Sequence, residues 1–180
     1  MLDPEEEKEM IRLAGKMGGQ WTPNLYNTFA PKFALTAIET VFLRRSAVSG
    51  KVEILLIQRP ATDAHYPNQW HSPGTMLRAV DFQEETVTGE DIPAYDGFKK
   101  AFDRLAQSEL GIGFKTAPRQ IMSIFHYTPR GPEVALIFLC ELEGEPKAGR
   151  FFAVDHLPEN LIEHHHRIIE AAMDGLRRGL

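Results

Sequence analysis

The sequence predicts an α+β domain organised around a mixed sheet. Two patterns carry that expectation. Several short runs are rich in Val, Ile, Thr and Phe, as strands are. Helical apolar stripes fall before, among and after them without a strict strand–helix alternation. With 180 residues, 43% hydrophobic and 25% charged, the chain suits one domain with a full core.

In chain order, Asp3-Pro4 and then Glu5, Glu6 and Glu7 read as a helix start: a capping residue, a first-turn proline and acids at the positive end of the dipole. Met10, Ile11, Leu13, Ala14 and Met17 form its apolar stripe, and Gly18-Gly19 ends it. Residues 33–44 read as a strand, 46–51 as a turn and Val52–Gln58 as a second strand. The periodicity of Phe98, Ala101, Phe102, Leu105 and Ala106 predicts a helix over 96–110, capped by Asp96 and ended by Gly111. Strands at 120–127 and 133–142 are joined through Pro129-Arg130-Gly131-Pro132. A short strand follows at 151–154. A last helix opens at Leu157-Pro158 and carries Leu161, Ile162, Ile168, Ile169, Ala172, Met173 and Leu176.

The formal net charge is −5, which leaves no basic excess to pair phosphates, so nucleic acid and anionic membrane are not expected partners. No apolar run approaches the ~20 residues of a spanning helix. The acidic start is the opposite of a signal peptide, and the lone Cys140 lies in an apolar run. Both fit a cytoplasmic, reducing location.

Trp70-His71-Ser72-Pro73-Gly74-Thr75, followed across an acidic insert by Arg104-Leu105-Ala106-Gln107-Ser108-Glu109-Leu110-Gly111-Ile112, resembles the box of the Nudix family, G-x5-E-x7-R-E-U-x-E-E-x-G-U with U a bulky apolar residue. Arg104, Glu109, Gly111 and Ile112 match; Leu105 and Ser108 stand where the family has Glu. Ile54–Arg59, the segment from Tyr66 to Gly74, and the Asp155, Leu157-Pro158 and helix segment extend the resemblance over roughly residues 33–178. It implies a Nudix-type α/β/α sandwich around the mixed sheet. Residues 1–30 would be an N-terminal helical extension and 31–180 the Nudix-like domain, with an acidic insert at about 81–96.

The resemblance also implies chemistry. In the family, glutamates at i, i+3 and i+4 share a helix face, hold Mg²⁺ or Mn²⁺ and activate water against a diphosphate linkage in a nucleotide derivative. The implied metal ligands here are Glu109 and the Gly74 carbonyl, with Glu109 and Arg104 as the catalytic pair. Arg104 has two expected partners, an acid of the insert or Glu109. Thr75 replaces the second glycine of the turn, and the spacing from Thr75 to Arg104 is about twice that of the box. The loop glutamate of the box is therefore open among Asp81, Glu90 and Asp96. Asp81, Glu90 and Glu133 are candidate substitute ligands, although a solvated loop and a strand-edge charge are their plainer readings.

Arg59, Trp70 and His126 are candidate substrate-binding residues; His71 and His126 lie in segments that border the pocket, with a plain polar residue as their plainer reading, and Trp70, Tyr66 and Tyr127 are candidate base-stacking groups whose plainer reading is aromatic core or loop packing. His164, His165 and His166 are consecutive, so they cannot chelate one ion together. A helix surface is their plainer reading, with His165 nearest the apolar face. Two functions follow: a Nudix-type pyrophosphohydrolase of weakened activity, or an inactive Nudix-fold module that binds a nucleotide or a protein. A scaffold that associates through its N-terminal helix, a homodimer included, is a third.

Overall fold

The structure is a computed structural model that describes residues 2–17, 21–82 and 97–178. Four α-helices and seven strands are present among them: α1 (Pro4–Ala14), α2 (Pro23–Phe29), β1 (Leu35–Arg45), β2 (Val52–Gln58), β3 (Trp70–His71), β4 (Gly74–Met76), α3 (Lys99–Leu105), β5 (Arg119–Thr128), β6 (Gly131–Cys140), β7 (Arg150–Ala153) and α4 (Glu163–Arg177). The strands form one sheet in the order β3-β2-β1-β6-β5; β4 pairs with β1 and β7 with β2. The β1–β6 ladder is parallel, from Leu35 opposite Glu133 to Phe42 opposite Cys140, and every other pairing of these strands is antiparallel. The expected mixed sheet is therefore what the chain builds.

Strand alternation sorts the core into two layers. Val41, Ile54, Leu56, Ala135 and Ile137 face Ile168, Ile169 and Ala172 of α4. Ile38, Phe42, Leu55 and Phe138 face Ala101 and Phe102 of α3 and Leu110 beyond it. Helices thus cover both faces of the sheet.

Three departures from the sequence expectation bear on the site. The central helix is shorter: α3 ends at Leu105, and Ala106–Leu110 forms one wide π-type turn that stops at Gly111 with φ 64°. Asp96, its expected cap, lies outside the described residues. The last helix begins at Glu163, not at Pro158. The segment before it is pinned to β3, where the Trp70 N–H donates to the Asn160 carbonyl (3.0 Å) and the Ile162 N–H to the Trp70 carbonyl (2.9 Å). Helix α2 was not expected. Thr22 caps it by accepting from the Leu25 N–H, with Pro23 in the first turn. The chain then runs through residues 30–32 against the start of β6. There Gly131 has φ 127°, and a Cβ would collide with the backbone of Ala30 and Pro31.

Candidate functional site

The site is assembled on the α4 face of the sheet. On β1, Glu39 alternates with Val41 and projects to that face; on β6, Glu133 stands in line with Ala135 and Ile137; on β5, His126 lies opposite Glu133. Arg130 enters from the β5–β6 turn and donates from Nη2 to Glu133 Oε2 at 2.8 Å. His126 Nε2 lies 3.5 Å from Glu133 Oε1, and its ring meets that of His164 edge-on at 4.5 Å. Arg59 follows β2 and donates to Asp63 Oδ2 at 3.3 Å. Asp63 in turn accepts from the His65 and Tyr66 N–H groups, which fixes the turn that carries Tyr66. The Arg130 guanidinium lies 5.8 Å from the centre of the Tyr66 ring. Tyr26 of α2 completes the group, close enough for the charges of Arg130, Glu133 and Arg59 to act on its hydroxyl.

One property separates this cluster from the rest of the molecule. Among the described residues, the buried side-chain atoms without a hydrogen-bond partner are Tyr26 Oη, Glu39 Oε2, Arg59 Nε, Tyr66 Oη, both ring nitrogens of His126, Arg130 Nε and Glu133 Oε1. All belong to it. Each such atom costs about 1–3 kcal/mol when left dry, so native proteins supply water or ligand where they occur.

The electrostatics are correspondingly uneven. Burial, and then the neighbouring Glu133, push the Glu39 carboxyl up to about 8, against the pull of Arg130 and Arg59. Burial lifts Glu109 to about 7, opposed by Arg59 and Arg104. Burial also acts upward on Glu133, but His126 and Arg130 outweigh it and hold the carboxyl below its ordinary value. His164 is pushed down to about 4 by burial and by His126, and His71 to about 3 by burial and by Arg59. Both imidazoles are therefore neutral at pH 7.

The box segment serves mainly to hold the loop. Leu105 is fully buried. Ser108 is exposed and donates its hydroxyl back to the Arg104 carbonyl. Arg104 donates to Thr75 Oγ1 (2.6 Å), to the Met76 carbonyl (3.1 Å) and to Asp81. Of its two expected partners, the acid of the insert is the one engaged. Asp81, 3% exposed, also accepts from the Arg78 N–H at 2.7 Å. Its carboxylate thus fastens the loop, through Arg104 on one side and the Arg78 N–H on the other. Arg104 is a positioning residue on the same grounds. Arg104→Ala should strand a buried carboxylate and destabilise the protein by about 3–5 kcal/mol, read as a lower urea midpoint.

Of the residues singled out from sequence, the charges of Arg59, Glu109 and Glu133 all act on the Glu39 carboxyl, His126 lies 3.5 Å from Glu133, and Gly74 lies against Glu39. Trp70 does not join them. Its ring packs edge-on to Phe152 at 4.8 Å and onto the α4-side core, in keeping with the plainer reading of core packing. Tyr127 is 78% exposed. His165 and His164 are not helix-surface residues: His165 is buried, accepts from Ser72 Oγ at 2.6 Å, and sits beside His164. Glu90, with the rest of the insert from 83 to 96, lies outside the described residues. Glu39, Arg130, Tyr26 and His164 were not anticipated. The available signal was Glu39 itself, a charge inside the apolar run Ala37-Ile38-Glu39-Thr40-Val41.

Among the described residues, no three His, Cys, Asp or Glu side chains converge as a ready-made metal cage. Mg²⁺, however, is commonly held by one or two carboxylates plus waters and substrate phosphates. Glu39, with an unpartnered buried oxygen, and the half-buried Glu109 supply two such groups. These donors fit an ion site that the substrate completes.

No family model and no curated protein matches the sequence. Solved structures do match the fold. A MutT NUDIX hydrolase from Burkholderia pseudomallei is 21% identical, with a TM-score of 0.56 over 77% of this chain and 98% of that one. The NUDIX domain of Shewanella oneidensis NrtR, solved as a complex with ADP ribose, is 16% identical, with a TM-score of 0.54 over 87% and 99%. A C. elegans Ap4A hydrolase is 16% identical, with a TM-score of 0.54 over 81% and 99%. No helix among the described residues is long and apolar enough to cross a membrane.

Proposed function

We propose that this chain, which has the Nudix fold, is a Nudix-type hydrolase that binds a diphosphate-linked nucleotide derivative at the polar cluster around Glu39, Glu133 and Arg130. One observation carries the reading: the unpartnered buried polar atoms of Arg59, Arg130, Glu39, Glu133, His126, Tyr26 and Tyr66 all belong to one cluster. Two guanidinium groups with free N–H capacity suit phosphate oxygens, which they bind by charge-assisted hydrogen bonds. The hydroxyls of Tyr26 and Tyr66 add two neutral donors. Glu109, titrating near neutrality, is matched to taking the proton from a water that attacks phosphorus as the bridging P–O bond breaks. When bound, a divalent ion would neutralise the diphosphate and acidify that water.

The test uses ADP-ribose, the ligand named for the NrtR domain. Calorimetry should show it binding, and incubation with Mn²⁺ should release AMP. Arg59→Ala should weaken binding by about ten- to a hundredfold, the worth of a charge-assisted hydrogen bond. Failure of the wild-type chain to bind ADP-ribose or a dinucleoside polyphosphate would end the proposal. A second reading, binding without cleavage, is favoured by the buried Leu105 and the back-bonded Ser108, which leave one box carboxylate of three. Binding of ADP-ribose with no AMP released would select it.

A further inference from the structure

We propose that Glu39 replaces the missing box glutamates, holding a divalent cation together with Glu109 and the phosphates of the substrate. The inference rests on the diphosphate-binding reading and adds the ligand that reading lacks.

Four observations support it. Glu39 sits in the central strand, flanked by Ile38 and Thr40 and only 7% exposed, where a carboxylate is costly without a partner. Its Oε2 has no hydrogen-bond partner, so neither an ionised nor a protonated carboxyl is satisfied within the chain. The carboxylate lies directly against Gly74, its partner across the β1–β4 ladder. A Cβ at Gly74 would overlap both of its oxygens, so a glycine is what lets the two meet. Finally, the rival carboxylates each hold a guanidinium: Asp81 accepts from Arg104 and the Arg78 N–H, and Glu133 accepts from Arg130 at 2.8 Å. Glu109 lies close enough for its charge to act on Glu39.

The test measures free Mn²⁺ by electron paramagnetic resonance, with and without α,β-methylene-ADP, a non-hydrolysable diphosphate. Binding of that nucleotide without metal is followed separately by calorimetry. Wild type should bind one Mn²⁺ more tightly when the nucleotide is present. Glu39→Gln should weaken that Mn²⁺ binding by at least about tenfold, no less than the loss of an outer-shell partner costs. Metal-free nucleotide binding is measured in the same variant, so that loss of the ion is told apart from loss of the nucleotide. Gly74→Ala, which displaces the carboxylate without removing it, should give the same loss, and circular dichroism checks that both variants are folded. Unchanged Mn²⁺ affinity in a folded Glu39→Gln protein overturns the role of Glu39 and leaves the pocket reading intact. Wild type that binds nucleotide but no Mn²⁺ overturns it in favour of the non-catalytic reading. Wild type that binds neither overturns both.

Discussion

Replacing Leu105 by Glu is expected to destabilise the protein by several kcal/mol and to restore no metal site. Leu105, the last residue of α3, is fully buried. The substitution removes apolar packing, which alone costs about 2–5 kcal/mol for a buried Leu truncated to Ala. It also brings in a carboxyl that must either ionise without a partner or stay protonated there. The nearest sequence cation, Arg104, is already held by Asp81 and by the loop. The two positions also differ in setting: Leu105 is fully buried, whereas Glu109 is half-buried. Ser108→Glu lies on an exposed position and should stay within about 0.5 kcal/mol of wild type. Urea denaturation with Mn²⁺ titration of both variants checks this. A fully stable Leu105→Glu protein would show that the helix does not pack as described.

Glu39→Gln is expected to stabilise the ligand-free protein at neutral and alkaline pH by a few kcal/mol. The folded chain holds the Glu39 carboxyl at about 8, against its ordinary 4.5. Between these values the unfolded chain has released the proton and the folded chain keeps it. The stability due to this group is complete below the unfolded value and is lost as pH rises through the folded one, at about 1.4 kcal/mol per pH unit. Gln is neutral throughout, so the variant should match wild type near pH 4 and exceed it by a margin that widens up to about pH 8. Glu109 titrates in the same direction up to about 7 but is present in both proteins. Melting temperatures at pH 5 and pH 8.5, without divalent ions, decide it. A gap that does not grow with pH would show that Glu39 is solvated.

Much of the scaffold was legible in the sequence because local pattern determines it. Val52–Gln58 has the bounds expected from its β-branched run, and the Asp3 and Glu6 capping box starts α1 where the acids suggested. The site was less legible because its members meet only through long-range pairing. Nothing local reveals that β1 is central, so Glu39 read as one polar residue in a strand. Arg130 read as part of a turn, yet that turn delivers it to Glu133 three residues on. Trp70 carried a stacking reading beside the plainer one of core packing, because sequence does not show that Phe152 lies across from it. The wide turn at 106–110 has no compositional signature, since it is a shift in hydrogen-bond partner and not in residue type. Helix α2 is different: Thr22-Pro23 is a legible start, obscured by the weak apolar period that follows.

The parallel ladder between β1 and β6 also governs how the protein comes to fold. The antiparallel neighbours β1–β2 and β5–β6 are joined by short turns and close within microseconds, as hairpins do. The strands β1 and β6 lie about a hundred residues apart in the chain, and their union must wait for a long, entropically costly loop to close. Glu39 arrives on one hairpin, and Glu133, Arg130 and His126 on the other. An intermediate with both hairpins formed would have most of its backbone bonding and none of its binding capacity. Recovery of nucleotide binding during refolding should therefore lag behind recovery of secondary structure.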